Sequence, residues 1–138
     1  MLNFGIFKNM NYALGKTSLD RLNGVHPDLV NVVKKAISIS EIDFTVTEGL
    51  RTVERQKQLV AKGASQTMNS RHITGHAVDL GALVDGKLSW DWKYYFKLAE
   101  AMKKAALELS IDLEWGGDWI TFKDGPHFQL SHKSYPHA

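Results

Sequence analysis

The sequence predicts an α+β fold, a single small domain in which helices pack on a mainly antiparallel sheet. Segments with helical apolar spacing are interspersed with short runs of strand-like alternation, and Asp85-Gly86 is a strong tight-turn signal of the hairpin kind. The length of 138 residues, 43% of them hydrophobic, suffices for one core and is too short for two domains of ordinary size.

The elements follow in order. Pro27 and Asp28 suit the first turn of a helix, and Leu29, Val32, Val33, Ala36 and Ile37 then recur at helical spacing to about Ser38. Residues 43–47 alternate like a strand that stops at Gly49, and a second helix is expected from Thr52, as N-cap, to Lys62 before Gly63. Arg51 thus falls at a strand-to-helix junction. Residues 64–71 are small and polar and read as a loop, whereas Ala77 to Val84 is apolar and short enough for a buried strand. Ser89 is the expected cap of the longest helix, with Trp92, Tyr95, Phe96, Ala99, Met102, Ala106 and Leu107 on its apolar face. Residues 111–115 read as a strand, Gly116 to Asp118 as a turn, and His127 to Leu130 as the last strand.

Composition excludes several function classes. The chain has no cysteine, so disulfide frameworks, thiolate zinc fingers and cysteine nucleophiles are ruled out, and any metal must be held by His, Asp or Glu. Seventeen Lys+Arg against fifteen Asp+Glu leave a net charge of +2, far from the one-sided excess of a dedicated nucleic-acid binder, so no nucleic-acid partner is expected. No run approaches the roughly 20 apolar residues of a membrane span. Residues 1–16 interrupt their apolar positions with Asn3, Gly5, Lys8, Asn9 and Asn11, so no signal peptide is read and a cytoplasmic origin is expected.

Six histidines occupy unequal positions. His132 and His137 lie in a polar tail and read as bystanders, and His26 precedes a helix. The run Ser70-Arg71-His72-Ile73-Thr74-Gly75-His76-Ala77-Val78-Asp79 sets an imidazole and a carboxylate on either side of a glycine turn. A catalytic zinc commonly takes three protein ligands and leaves a position for water, and His127 is the natural third donor. His72 and His76 as a helical i, i+4 pair is the rival reading. It fails because no acid lies between them, Gly75 disfavours a helix interior, and residues 77–80 look extended, so Asp79 is chosen over His76. In Asp124-Gly125-Pro126-His127 the Gly-Pro bend lets the Asp124 carboxylate and the His127 ring approach one metal from adjacent directions, with Asp124 suited to take a proton from attacking water.

Together, the Ser70-to-Asp79 run, Trp115-Gly116-Gly117-Asp118-Trp119 and Asp124-x-x-His127-Phe128 resemble the zinc D-alanyl-D-alanine peptidase and L-alanyl-D-glutamate endopeptidase family, across about Asp43 to Leu130. Its size and its Gly49-Leu50-Arg51-Thr52 segment make the chain most similar to the compact phage endolysin branch. The resemblance implies the hedgehog/D-alanyl-D-alanine-peptidase-like fold and one catalytic domain across residues 1–138, with no separate wall-binding domain. It implies one Zn²⁺ per chain on His72, Asp79 and His127, with Asp124 as general base. It further implies that Arg51 binds substrate or steadies the oxyanion, that Ser70 holds substrate or orients the site, and that Trp115 and Asp118 wall and support it. Trp119 is left equally as core, His76 as an accessory rim group, and Gln129 stands where the family frequently has an acid.

The implied function is hydrolysis of the L-alanyl-D-glutamate bond of peptidoglycan stem peptides by a monomeric enzyme. Such an enzyme waits in the producing host's cytoplasm without inserting in the membrane and lyses the wall after release. A D-alanyl-D-alanine carboxypeptidase or dipeptidase, and a zinc-binding module without hydrolysis, are the alternatives; intact Asp124 and Arg51 argue against the second.

Overall fold

The structure is a computed structural model and describes residues 12–136. The export-signal reading of the first residues and the reading of His137 as a bystander fall wholly or partly outside them. The elements are α1 (Lys16–Arg21), α2 (Pro27–Ile39), β1 (Asp43–Glu48), α3 (Val53–Ala61), β2 (Ala77–Val84), β3 (Lys87–Ser89), α4 (Trp92–Leu109), β4 (Leu113–Trp115), a 3-10 turn (Gly116–Asp118) and β5 (His127–Leu130). The strands form one five-stranded sheet in the order β1-β2-β5-β4, with β3 also paired to β2. Every pairing is antiparallel, so the α+β expectation holds.

Local chemistry starts the three longer helices. His26 caps α2, its Nδ1 accepting from the Asp28 amide at 3.0 Å, with Pro27 in the first turn. Thr52 caps α3 as the sequence predicts, accepting from the Arg55 amide at 3.0 Å. The cap of α4 is Asp91, whose Oδ1 accepts from the Lys93 amide at 3.1 Å; Ser89 instead ends β3, paired with Ala82. The sequence analysis missed β3 because its three residues are too few to alternate visibly. It also missed α1, a six-residue helix held to β1 by the Ser18–Thr45 hydroxyl pair at 2.8 Å and by Arg21 Nη1 donating to Val46 O at 3.0 Å.

The buried face of α4 is Tyr95, Leu98, Ala99, Ala101, Met102, Ala105 and Ala106, rotated from the expected one. Alanines let α4 lie close to α2 and the sheet, whereas Trp92, Phe96 and Leu107 are exposed. Trp92 and Phe96 gather at the helix margin around Trp115, at ring separations of 6.3 and 5.7 Å. β4 begins at Leu113, later than expected. Ser110 takes a left-handed turn (φ 58) and the Ile111 amide still donates to Ala106 O at 2.8 Å, so the helix end claims that backbone first.

Alternation along the sheet separates core from site. Phe44, Val46, Val78, Leu80, Ala82, Phe128 and Leu130 are buried together with the α2 and α4 stripes. The intervening residues Asp79, His127 and Gln129 take the opposite face, away from the helices.

Candidate active site

Register brings the chemistry into one row. Asp79 on β2 lies opposite His127 on β5 and opposite Glu48 on β1. The β1 pairing slips between Val46 and Glu48, so Thr47 is an extra residue, and this bulge lets Glu48 join the row although Val46 belongs to the core. His72 comes from the loop before β2. That loop is bound on both flanks: its His76 amide donates to Arg71 O at 2.9 Å, and the Arg51 amide donates to His72 O at 3.0 Å. Gly75 turns it at φ +79, where an added Cβ would lie 2.5 Å from Gly24 O.

The two imidazoles converge on a single oxygen. His72 Nε2 and His127 Nδ1 each lie 3.1 Å from Asp79 Oδ1. The remaining ring nitrogens face acceptors, since His72 Nδ1 is 2.9 Å from Gly49 O and His127 Nε2 is 2.8 Å from Gln129 Oε1. Gln129 is itself oriented by its Nε2 donating to Glu114 Oε1 at 3.2 Å. Each outer nitrogen therefore carries the hydrogen in a neutral ring, and each inner nitrogen presents a lone pair. In that tautomer two lone pairs and a carboxylate oxygen point at one another, an arrangement that suits a cation. Two nitrogens and one oxygen, all within 4.8 Å of one another, suit a metal ion of intermediate softness.

The carboxylate and the rings also attract one another as charges, which favours a proton on the inner side of His127 when nothing else sits there. Burial opposes ionisation of Asp79, yet the hydrogen bonds and charge of His127 and His72 hold its carboxyl well below the usual carboxylate range. Burial likewise works against a charged His127, but Asp79 overrides it and raises its pKa.

Asp124 lies beside the trio on the wall of a cleft of about 710 Å³ that also contains Glu48, Arg51 and Ser70. The Asp124 amide donates to Gly116 O at 3.0 Å and its carbonyl accepts from the His127 amide at 3.2 Å, so the turn the sequence predicts is present. Among the described residues its carboxylate has no hydrogen-bond partner. Burial first, and the Asp79 charge second, push its pKa above the ordinary aspartate value, against the lowering pull of His127, His72 and Arg51. A partly desolvated carboxylate free to take a proton next to a cation site is what a general base requires.

Arg51 is also in the cleft, with its fork committed. Nε and Nη2 donate to the two oxygens of Glu48 at 2.7 and 2.8 Å, and Nη1 donates to Gln56 Oε1 at 2.8 Å and to Ser70 Oγ at 3.4 Å. Burial disfavours the Glu48 charge, but Arg51 beside it keeps the carboxyl below its ordinary value. Arg51 therefore brings a fixed positive charge, 3.9 Å from Asp79 Oδ2. The sequence analysis missed Glu48; an acid three residues before Arg51 at a strand end was its only signal.

Ser70 is in place, its Oγ accepting from the His72 amide at 3.1 Å. Trp115 and Asp118 do not line the cleft itself. Trp115 is buried behind the site, donating from Nε1 to Gly125 O at 2.7 Å, because β4 pairing sets it against Phe128. The exposed Asp118 carboxylate meets Lys103 at 2.7 Å. The residue that walls the cleft is Trp119, with its ring 5.2 Å from the His127 ring. His76 stands outside the trio, its Nδ1 2.7 Å from Thr74 Oγ1. His132, read as a bystander, lines the cleft margin.

Comparison with known proteins gives a consistent result. Residues 10–131 match the model of a family described as phage L-alanyl-D-glutamate peptidase. The L-alanyl-D-glutamate peptidase of Escherichia phage T5 is 37% identical over 114 residues, 80% of this chain and 83% of that protein. The peptidoglycan L-alanyl-D-glutamate endopeptidase CwlK of Bacillus subtilis (strain 168) is 29% identical over 113 residues, 72% of this chain and 68% of that protein. The crystal structure of the Serratia marcescens L-Ala D-Glu endopeptidase ChiX superposes with a TM-score of 0.87 at 47% identity, covering 98% of this chain and 100% of that one.

Proposed function

The chain belongs to the phage L-alanyl-D-glutamate peptidase family, and on that premise we propose that His72, Asp79 and His127 hold one zinc ion while Asp124 serves as general base. The protein is an enzyme that hydrolyses peptidoglycan, and its reaction class is L-alanyl-D-glutamate peptidase. The observation that supports the residue roles is the convergence of two imidazoles on Asp79 Oδ1, at 3.1 Å each, beside a carboxylate that has no hydrogen-bond partner among the described residues.

When bound, zinc supplies an acidified water and a Lewis acid for the scissile carbonyl. The chain supplies the rest. Gly49 O and Gln129 Oε1 keep both rings turned inward. Asp124 takes the proton of the attacking water and returns it to the amine of the leaving D-glutamate. Arg51, locked by Glu48, places a positive charge near the developing oxyanion and acts through its field. Ser70 joins the Arg51 side chain to the His72 backbone and so keeps the two in register.

Cleavage is internal to the stem peptide, by a monomer in which the described fold serves this one site. The same reading has the enzyme made in the producing host's cytoplasm and acting on the wall after release. No helix among the described residues is long and apolar enough to cross a membrane. Digestion of purified wall, followed by mass spectrometry, should reveal new D-glutamate amino termini and intact glycan strands. Release of free D-alanine would overturn the endopeptidase reading.

A further inference from the structure

The cleft has a second wall that peptide hydrolysis leaves unexplained. Between the 3-10 turn and Asp124, residues 119–123 carry Trp119, Ile120 and Phe122 next to Thr121 and Lys123. Ile120 is 94% exposed and Phe122 70%. A domain gains nothing from large apolar side chains held in water, and their concentration in one loop marks a binding surface. The loop is shaped in advance: Lys123 Nζ donates to Trp119 O at 2.7 Å and to Gly117 O at 3.3 Å, and the Asp124 amide closes its base on Gly116 O. Phe122 sits at φ 52, a left-handed conformation that a bulky residue adopts only against strain.

The loop is continuous with the catalytic cleft. Trp119 and Phe122, with Gln66 from the facing loop, line both that cleft and a neighbouring shallow, open hollow, which Ile120 and Thr121 help to complete. What belongs there follows from the substrate, so the inference rests on the reading above. In a stem peptide the alanine nitrogen is acylated by the lactyl ether of muramic acid, and the sugar ring begins two residue lengths, roughly 7 Å, from the scissile carbonyl. On the other side runs an acidic, γ-linked peptide. The cleft walls differ in the matching sense. Ser65, Thr67, Asn69 and Ser70 offer hydroxyl and amide groups, whereas Trp119 and Phe122 offer aromatic faces. A sugar presents C–H faces that pack on aromatic rings and hydroxyls that need polar neighbours, here Thr121 and Gln66.

We propose that the 119–123 loop is a saccharide subsite, in which Trp119, Ile120 and Phe122 seat the N-acetylmuramoyl ring carried by the substrate alanine and so make the enzyme favour wall-linked over free stem peptide.

Two measurements test it with the zinc-loaded protein. Titration with N-acetylmuramic acid alone, followed by amide NMR, should shift resonances of residues 119–123 and Gln66, and the response should vanish in Ile120→Ser/Phe122→Ser. In kinetics, kcat/KM should be about 10-fold higher for the disaccharide-linked peptide than for the sugar-free one, mainly through KM, with that ratio falling toward one in the double variant. Circular dichroism checks the variant's fold, which exposed side chains do not hold together. No response to the sugar, a wild-type ratio near one, or a ratio kept by the double variant would each overturn the subsite. Loop-dependent binding to phosphatidylglycerol vesicles without a sugar response would make the loop a membrane contact instead. Failure to cleave either peptide would remove the peptidase reading, and the sugar titration would still decide the subsite.

Discussion

At the scale of single residues the site depends on which atom of each side chain is already engaged. His72 and His127 are useful because Gly49 O and Gln129 Oε1 occupy their outer nitrogens, and Asp124 is useful because no described residue occupies its carboxylate. Asp124→Asn keeps the shape and removes the proton acceptor. Hydrolysis of stem peptide should fall by roughly 10²–10⁴-fold, the usual contribution of a general base, while metal content by atomic emission stays at one per chain. Wild-type turnover in that variant would mean another group is the base, and loss of metal would make Asp124 a ligand. The gathering of His72, Asp79, His127 and Asp124 was legible in the sequence because they flank the Gly75 turn and the Gly125-Pro126 bend with their own spacing signature. Glu48 and Trp119 were not. The first reaches the row through a bulge in β1, and the second reaches it through the path of a loop, and neither leaves a periodic trace.

At the scale of elements, two local devices hold the ligand loop. One is Gly75, whose φ of +79 and approach to Gly24 O leave no space for a side chain. Gly75→Ala combines a left-handed alanine, about 1 kcal/mol, with a clash against backbone that cannot swing aside, about 1–3 kcal/mol. Urea unfolding should show a loss of about 2–4 kcal/mol; a loss below 0.5 kcal/mol would mean the loop yields freely. The other is the tail after β5. Buried Arg71 donates from Nη2 to Leu130 O at 2.7 Å and to Tyr135 O at 2.9 Å, and the Tyr135 hydroxyl donates to Asp28 Oδ2 at 2.7 Å. That bond, with burial and the Asp28 charge adding to it, raises the Tyr135 pKa to about 12. Folding thus favours the neutral phenol. The stabilisation is complete below pH 10, the ordinary tyrosine value, and is lost as pH rises through 12. Tyr135→Phe should lower the neutral-pH melting temperature and abolish this alkaline step, followed by thermal melts between pH 9 and 12. An unchanged alkaline profile would place the step on another group. The longer helices and strands and the Thr52 cap were legible from periodicity and cap chemistry, but α1, β3, the cap of α4 and its exact buried face were not, because alanines and short polar residues gain their roles only from the element packed against them.

At the scale of the molecule, the three proposed ligands come from parts of the chain that only the folded sheet brings together. His72 and Asp79 are 7 residues apart, but Asp79 and His127 are 48 apart and come from neighbouring strands of the sheet. In an unfolded chain those donors do not converge, so a metal ion binds the native state almost alone and its binding free energy becomes stability. At 100-fold excess over the dissociation constant the gain is RT ln(1 + [L]/Kd), about 2.7 kcal/mol. For a chain of this length that corresponds to about 10 °C in melting temperature. A bound ion would also satisfy the donors gathered at Asp79 Oδ1, so the metal-free fold is expected to open first along the β2–β5 pairing, where Asp79 faces His127. Melting scans with chelator and with increasing zinc should therefore show a midpoint that climbs with the logarithm of free zinc, and hydrogen exchange should show the amides of residues 77–79 and 127–129 losing protection before those of α2 and α4. His127→Ala should melt at one temperature whatever the zinc concentration. A wild-type midpoint indifferent to chelator would mean that the sheet is complete without the ion, and the three side chains would then have to be read as a hydrogen-bonded cluster.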